Sequence, residues 1–276
     1  MPQMLLLLLA GALIFLCFLP RPDAGRLRPF SHFPPFAHRG LHGKHAPENS
    51  LTAFEHAKAS GFGTELDVRI TRDLVPVVFH DADLLRMCGT DQRVEDTEYA
   101  DLCRLRLSRS EEGIPTLLDA LKELSPSPVM IEVKPPKQKA QTRMLVKAVA
   151  DAAGSYPGSI LLVSFSPRIL RMLKKLSPHA PRGQLVARGK GMALYLALCP
   201  FIHLYARPHF LSCDIGCRAF SIKIARLFHP VLAGWTVRST EEWQAVEHIF
   251  DLKVFEAFLP QADACAAHFR KRGILP

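Results

Sequence analysis

Three short stretches hold the residue types from which a polar reaction centre can be built. Ala37-His38-Arg39-Gly40 joins an imidazole to a guanidinium, Glu65-Leu66-Asp67 sets two carboxylates two residues apart, and Ile131-Glu132-Val133-Lys134 follows an acid with a base. A second histidine, His80, ends the run Pro76-Val77-Val78-Phe79. These runs are short and mostly apolar or β-branched, so they read as strands, on which residues i and i+2 share a face. Glu65 and Asp67 then point the same way. Carboxylates turned toward an interior are costly unless paired or bound to metal, so several converging there suggest a cation. Three carboxylates with water and a phosphate oxygen suit Mg²⁺ or Ca²⁺, and Arg39 and Lys134 offer phosphate ligands. Taken singly, a Glu-x-Asp on a strand is usually a solvated face or an ion-pair partner, and a lone histidine is usually structural. The combination carries the argument.

Such a site needs elements that bring distant residues to one end of a sheet. Strand-like runs recur over residues 36–39, 64–71, 76–80, 129–134, 160–165, 183–187, 210–215, 231–237 and 252–258, with helical patterns between most of them. Ser50 can cap a helix through Leu51, Phe54 and Ala57, and Ile114 to Leu124 has the apolar spacing of another. This alternation argues for βα units and a parallel sheet. Nine candidate strands exceed the eight of a barrel by one, unless Thr71 to Pro76 is a tight connection that folds 76–80 back beside 64–71. With that hairpin the chain fits a TIM (β/α)₈ barrel, whose usual size of roughly 250 residues matches 36–276. A doubly wound open sheet is the alternative, but no Gly-rich phosphate fingerprint follows an early strand. The polar stretch 82–113 reads as a small insertion near the active mouth. Residues 192–205 are unusually apolar, either a helix packed on the barrel or a surface that touches lipid or an acyl chain.

The chain has 276 residues, with 35 Lys and Arg against 26 Asp and Glu, and the net charge of +9 favours anionic partners. No nucleic-acid-binding motif is present, so nucleic acid is not an expected partner. Seven scattered cysteines are unlike a secreted disulfide framework and read as free thiols, with Cys213 and Cys217 in the core. Residues 1–20 are uncharged and leucine-rich, long enough as a helix to span a bilayer. A cleaved signal peptide is the rival, but a basic n-region and a small-x-small cleavage site are both missing. An anchor is expected, followed by a Pro- and Arg-rich linker over 21–35. Arg21, Arg26 and Arg28 would leave the catalytic domain on the cytoplasmic side.

The order His38-Arg39-Gly40, Pro47-Glu48-Asn49-Ser50, Glu65-Leu66-Asp67, Pro76 to Asp81, Ile114-Pro115-Thr116-Leu117, Ile131-Glu132-Val133-Lys134, Ser164-Phe165 and Trp235-Thr236-Val237 resembles the glycerophosphodiester phosphodiesterase family, in particular its membrane-anchored bacterial members. The resemblance spans about 36–260. It implies a TIM barrel, a divalent cation held by Glu65, Asp67 and Glu132, and His38 and His80 as an acid/base pair. It also implies that Arg39 and Lys134 contact the phosphate, that Glu48 and Asn49 shape the same pocket, and that Trp235 lines the glycerol side. The implied reaction is metal-dependent hydrolysis of a glycerophosphodiester to glycerol 3-phosphate and an alcohol. Two alternatives stand beside it: lysophospholipase D activity, with an acyl chain along 192–205, and an inactive barrel serving as a membrane-bound binding protein.

The chain departs from the family pattern in three places. Leu74 stands where a glycine often follows Thr-x-Asp, and a left-handed conformation there is strained for leucine. Arg238 follows Trp-Thr-Val in place of the common asparagine, which adds positive charge at the mouth. The last strand lacks the frequent Thr-Asp ending, and no catalytic role is expected for Glu256.

Overall fold

A computed structural model describes residues 33–260 other than 45 and 230, together with Gly11. The expected anchor over 1–20 and most of the linker lie outside the described residues. Among the described residues no helix is long and apolar enough to cross a membrane.

The chain runs β1 (Phe36–His38), α1 (Leu51–Ala59), β2 (Gly63–Ile70), β3 (Pro76–Val78), β4 (Asp83–Leu84), α2 (Leu85–Cys88), β5 (Thr90–Arg93), α3 (Tyr99–Leu102), α4 (Leu117–Leu124), β6 (Val129–Val133) and α5 (Lys139–Ser155). It continues through β7 (Ile160–Ser164), α6 (Pro167–Leu176), β8 (Arg182–Val186), α7 (Lys190–Ala206), β9 (Phe210–Asp214), α8 (Ala219–Phe228), β10 (Leu232–Val237), α9 (Thr240–Val246) and β11 (Leu252–Phe255). The sheet order β1-β11-β10-β9-β8-β7-β6-β2 closes through the β1–β2 pairing. All pairs around this ring are parallel. The result is the expected eight-stranded barrel, and β6, β7 and β8 are buried at every position, as strands covered on both faces must be.

The ninth strand is β3, which pairs antiparallel with β2 in the expected hairpin. Its turn puts Leu74 at φ 68, the left-handed conformation that the sequence forces on a leucine. Local chemistry fixes the helix starts. Ser50 accepts a hydrogen bond from the Ala53 amide at 3.1 Å, and Thr116 forms a capping box with Asp119, so α4 begins at Leu117 rather than at Ile114. The last strand ends at Phe255 rather than 258, because Ala257 turns to φ 65 and leaves the extended region. The 82–113 insertion has a two-stranded sheet, β4 with β5, over its own apolar cluster of Phe79, Leu84, Met87, Val94, Leu102, Leu107 and Ile114. Cys213 and Cys217 are free and buried, as expected.

Candidate active site

Strand register assembles the site. In β1 and β2 the Cα partner of His38 is Glu65, and in β2 and β6 the partner of Asp67 is Glu132. Two-residue alternation turns Glu65 and Asp67 to one side. Carboxylate oxygens of Glu65, Asp67 and Glu132 lie within 4.8 Å of one another, and all three residues are buried.

Burial, reinforced by the neighbouring carboxylates, raises the Glu65 carboxyl well above its ordinary range. The same causes bring Glu132 up to about 7, against the pull of Lys134. For Asp67, burial is outweighed by Lys134, His80 and Arg39, whose charges hold it well below the usual range. The Lys134 ammonium sits 3.0 Å from Asp67 Oδ1 and 2.8 Å from Glu132 Oε1, where it offsets part of the repulsion among the carboxylates. Three buried, mutually repelling oxygen donors are what a hard divalent cation requires, so the residues present fit such an ion.

The turn after β1 is built around left-handed residues. Arg39 has φ 56, and its amide donates to Glu65 Oε2 at 3.1 Å. Gly40 has φ 82 and packs so closely on α1 that an added Cβ would lie 2.8 Å from the Ala53 Cβ. The Arg39 guanidinium lies 3.4 Å from Asp67 Oδ2 and donates to Glu48 at 2.9 Å. Asn49, at φ 60, donates to Asp67 Oδ2 at 3.0 Å and accepts from the Asp67 amide at 3.4 Å. Glu48 and Asn49 therefore brace Arg39 and Asp67 from behind. Neither is among the residues lining the cavity, whose walls include His38, Arg39, Glu65, His80, Glu132, Lys134 and Trp235.

Both histidines are oriented by a carboxylate. His38 Nδ1 is 2.5 Å from Glu256 Oε2, and His80 Nδ1 is 2.6 Å from Asp81 Oδ1. An ionised carboxylate only accepts, so each Nδ1 carries the proton and each Nε2 keeps its lone pair. His38 Nε2 lies 4.0 Å from Glu65. Burial lowers both imidazole pKa values from 6.5. His80 is further fixed by Arg69, whose guanidinium donates to its carbonyl at 2.7 and 2.9 Å. Trp235 meets Phe165 edge to face at 5.9 Å and forms an aromatic wall of the cavity.

Sequence reasoning missed two parts of this machinery. Glu256 follows β11 directly, and a carboxylate just past a barrel strand is a signal that the missing Thr-Asp ending obscured. Burial would raise its pKa, but hydrogen bonds from His38 and His42 and the charge of Arg238 hold it far below the ordinary value. Arg238 donates to Glu256 Oε1 at 2.7 Å, so the unusual arginine steadies this carboxylate as well as adding charge. The second part is Arg86 on α2, which donates to Asp81 at 2.6 Å and to Glu48 at 2.6 and 3.0 Å. The insertion thereby links the supports of His80 and Arg39, and nothing in the spacing of its sequence announces this.

The sequence profile of the glycerophosphoryl diester phosphodiesterase family matches residues 38–202. A probable glycerophosphodiester phosphodiesterase 2 of Mycobacterium tuberculosis is 33% identical over 157 residues, 55% of this chain and 57% of that protein. The lysophospholipase D GDPD1 of Mus musculus is 31% identical over 140 residues, 46% of this chain and 43% of its own length. The chain thus spans about half the length of these curated relatives. Among solved structures, a phosphodiesterase of Oleispira antarctica in complex with the product sn-glycerol-3-phosphate superposes with a TM-score of 0.72 at 23% identity, covering 86% of this chain and 98% of the other, a likeness of fold.

Proposed function

From its membership of the glycerophosphoryl diester phosphodiesterase family, to which the chain belongs, we propose that it hydrolyses a glycerophosphodiester to glycerol 3-phosphate and an alcohol. One observation carries this reading: Glu65 and Glu132, grouped within 4.8 Å of the buried Asp67, line one cavity together with two carboxylate-held imidazoles, Arg39 and Lys134. Glu65, Asp67 and Glu132 would hold the divalent cation, Mg²⁺ or Ca²⁺. Bound there, it would supply Lewis-acid polarisation of a non-bridging phosphate oxygen.

The chain's own residues do the rest. Arg39 and Lys134 set positive charge against the phosphate, where charge grows in the transition state. His38 and His80 present Nε2, one to take a proton from the nucleophile and the other to give one to the leaving alkoxide. Asp81 and Glu256 keep each ring in the tautomer that makes this division possible, and Trp235 with Phe165 walls the glycerol side. An uncleaved anchor over 1–20 holding the barrel on the cytoplasmic side belongs to the same reading.

Lysophospholipase D activity is the competing reading, since several similar proteins carry that name. An acyl chain along 192–205 is not supported by the cavity, because none of the described side chains of that stretch lines it. Assaying glycerophosphocholine and glycerophosphoethanolamine beside lysophosphatidylcholine decides between them. Glycerol 3-phosphate from the soluble diesters is the expected product; lysophosphatidic acid from the lysolipid alone would replace the proposal.

Glu256 acts here as a positioning residue. Glu256→Ala should lower kcat about 10- to 100-fold with little change in KM, and Glu256→Asp should recover part of the loss. Equal kcat in all three proteins would remove Glu256 from the account.

A further inference from the structure

Helix α7 has no Lys, Arg, Asp or Glu between Lys190 and Arg207, and a helix so apolar ordinarily lies inside a protein. Only one side of it does. Met192, Tyr195, His203 and Ala206 are buried, whereas Leu194 (61% exposed), Leu198, Phe201 (67% exposed) and Tyr205 stand in the open. Their spacing of i, i+4, i+7 and i+11 is a single stripe, about 17 Å long at 1.5 Å per residue. The neighbouring α8 exposes Phe220 and Leu227, seven residues apart and so on one face.

Helix α6, packed on α7, gives the stripe a cationic edge. Arg168, Arg171 and Lys175 are exposed at i, i+3 and i+7. The Arg171 guanidinium lies 4.5 Å over the Tyr205 ring, joining the two rows. Burial and the charges of Arg207, Arg182, Arg171 and Lys175 all lower the Lys174 pKa, which shows how closely cations crowd here. Residues 167–227 hold eleven Lys and Arg and a single acid, Asp214. With 35 and 26 in the whole chain, that leaves 24 cations against 25 acids elsewhere, so the entire positive surplus belongs to this one segment.

We propose that this face, an apolar stripe on α7 edged by the basic row of α6, lies on the surface of a bilayer containing anionic lipid. Leucine and phenylalanine enter the acyl boundary while lysine and arginine meet the head-group charge. The charge decides against the other occupants. In a twofold pairing of two copies through the stripe, each basic row would lie near the other's, and like charges would repel. Nucleic acid would answer the charge but not an open leucine stripe. Because α7 follows β8 and returns along the barrel's flank, this docking puts the cavity beside the membrane rather than facing into it.

The test uses the full chain carrying Phe201→Trp, and separately Leu118→Trp on α4, which is also exposed but lies three helices round the barrel from α7. Each is mixed with phosphatidylglycerol vesicles whose acyl chains are brominated or not. Tryptophan at 201 should shift to the blue and lose most of its added fluorescence to bromine, while tryptophan at 118 should not, even if the chain is also tethered elsewhere. Adding Arg171→Glu and Lys175→Glu should remove most of the blue shift and bromine quenching at 201. Equal quenching at both positions, or none at 201, would overturn the proposal. So would a blue shift at 201 that needs no lipid and grows with protein concentration, which would assign the face to a second copy.

Discussion

His38→Ala and His80→Ala should each reduce kcat by about 10²- to 10⁴-fold, the usual range for removing a positioned acid or base. Neither should unfold the barrel. His80 is partly open, and His38 stands at the end of a strand whose apolar neighbours Phe36 and Ala37 remain. Circular dichroism and the thermal midpoint check that point, and single-turnover rates check the chemistry. Because burial lowers both imidazole pKa values, whichever histidine acts as base stays unprotonated at neutral pH. The acid limb of kcat/KM therefore belongs below pH 6.5. A near-normal rate in either variant would remove that histidine from the mechanism.

Glu65→Gln separates metal binding from folding, because the two effects have opposite signs. In the folded chain the Glu65 carboxyl is raised well above its ordinary value. Above the unfolded group's pKa, the unfolded chain is ionised while the folded one still keeps its proton, so without metal this residue costs stability as pH rises through that window. A neutral amide removes the repulsion and still accepts from the Arg39 amide. The chelator-treated variant should therefore melt higher than chelator-treated wild type at pH 7, by at least about 2 °C. Saturating metal should stabilise the wild type, by about 2.7 kcal/mol at 100 times Kd, and the variant far less. Turnover should fall at least about 100-fold. A variant that keeps both its metal-induced shift and its rate would show that Glu65 is no ligand.

How far the sequence could be read follows from what each residue depends on. The barrel was legible because each βα unit writes its own pattern, and the β2–β3 hairpin because a strand count of nine demanded it. That His38, Glu65, Asp67, His80, Glu132 and Lys134 come together was legible because they fall at strand ends, which one end of such a barrel gathers. Asn49 and Glu48 sit near their expected place but serve Asp67 and Arg39, since which way a loop side chain turns depends on tertiary contacts. The His38–Glu256 pair joins residues 218 apart and exists only because β1 and β11 close the ring. Arg86 reaches the site through an insertion whose polar sequence has no strong period. The apolar run over 192–205 was plain, but which of its residues face outward is decided by α6 and α8.

The most direct test of the account is release of glycerol 3-phosphate from glycerophosphocholine by the full chain, first with chelator and then with Mg²⁺ or Ca²⁺ restored. Product should form only when a divalent cation is present, and should be lost in Glu65→Gln under the same conditions. Turnover unchanged by chelator, or no product from the diester with either ion, would contradict a metal-dependent phosphodiesterase built on Glu65, Asp67 and Glu132.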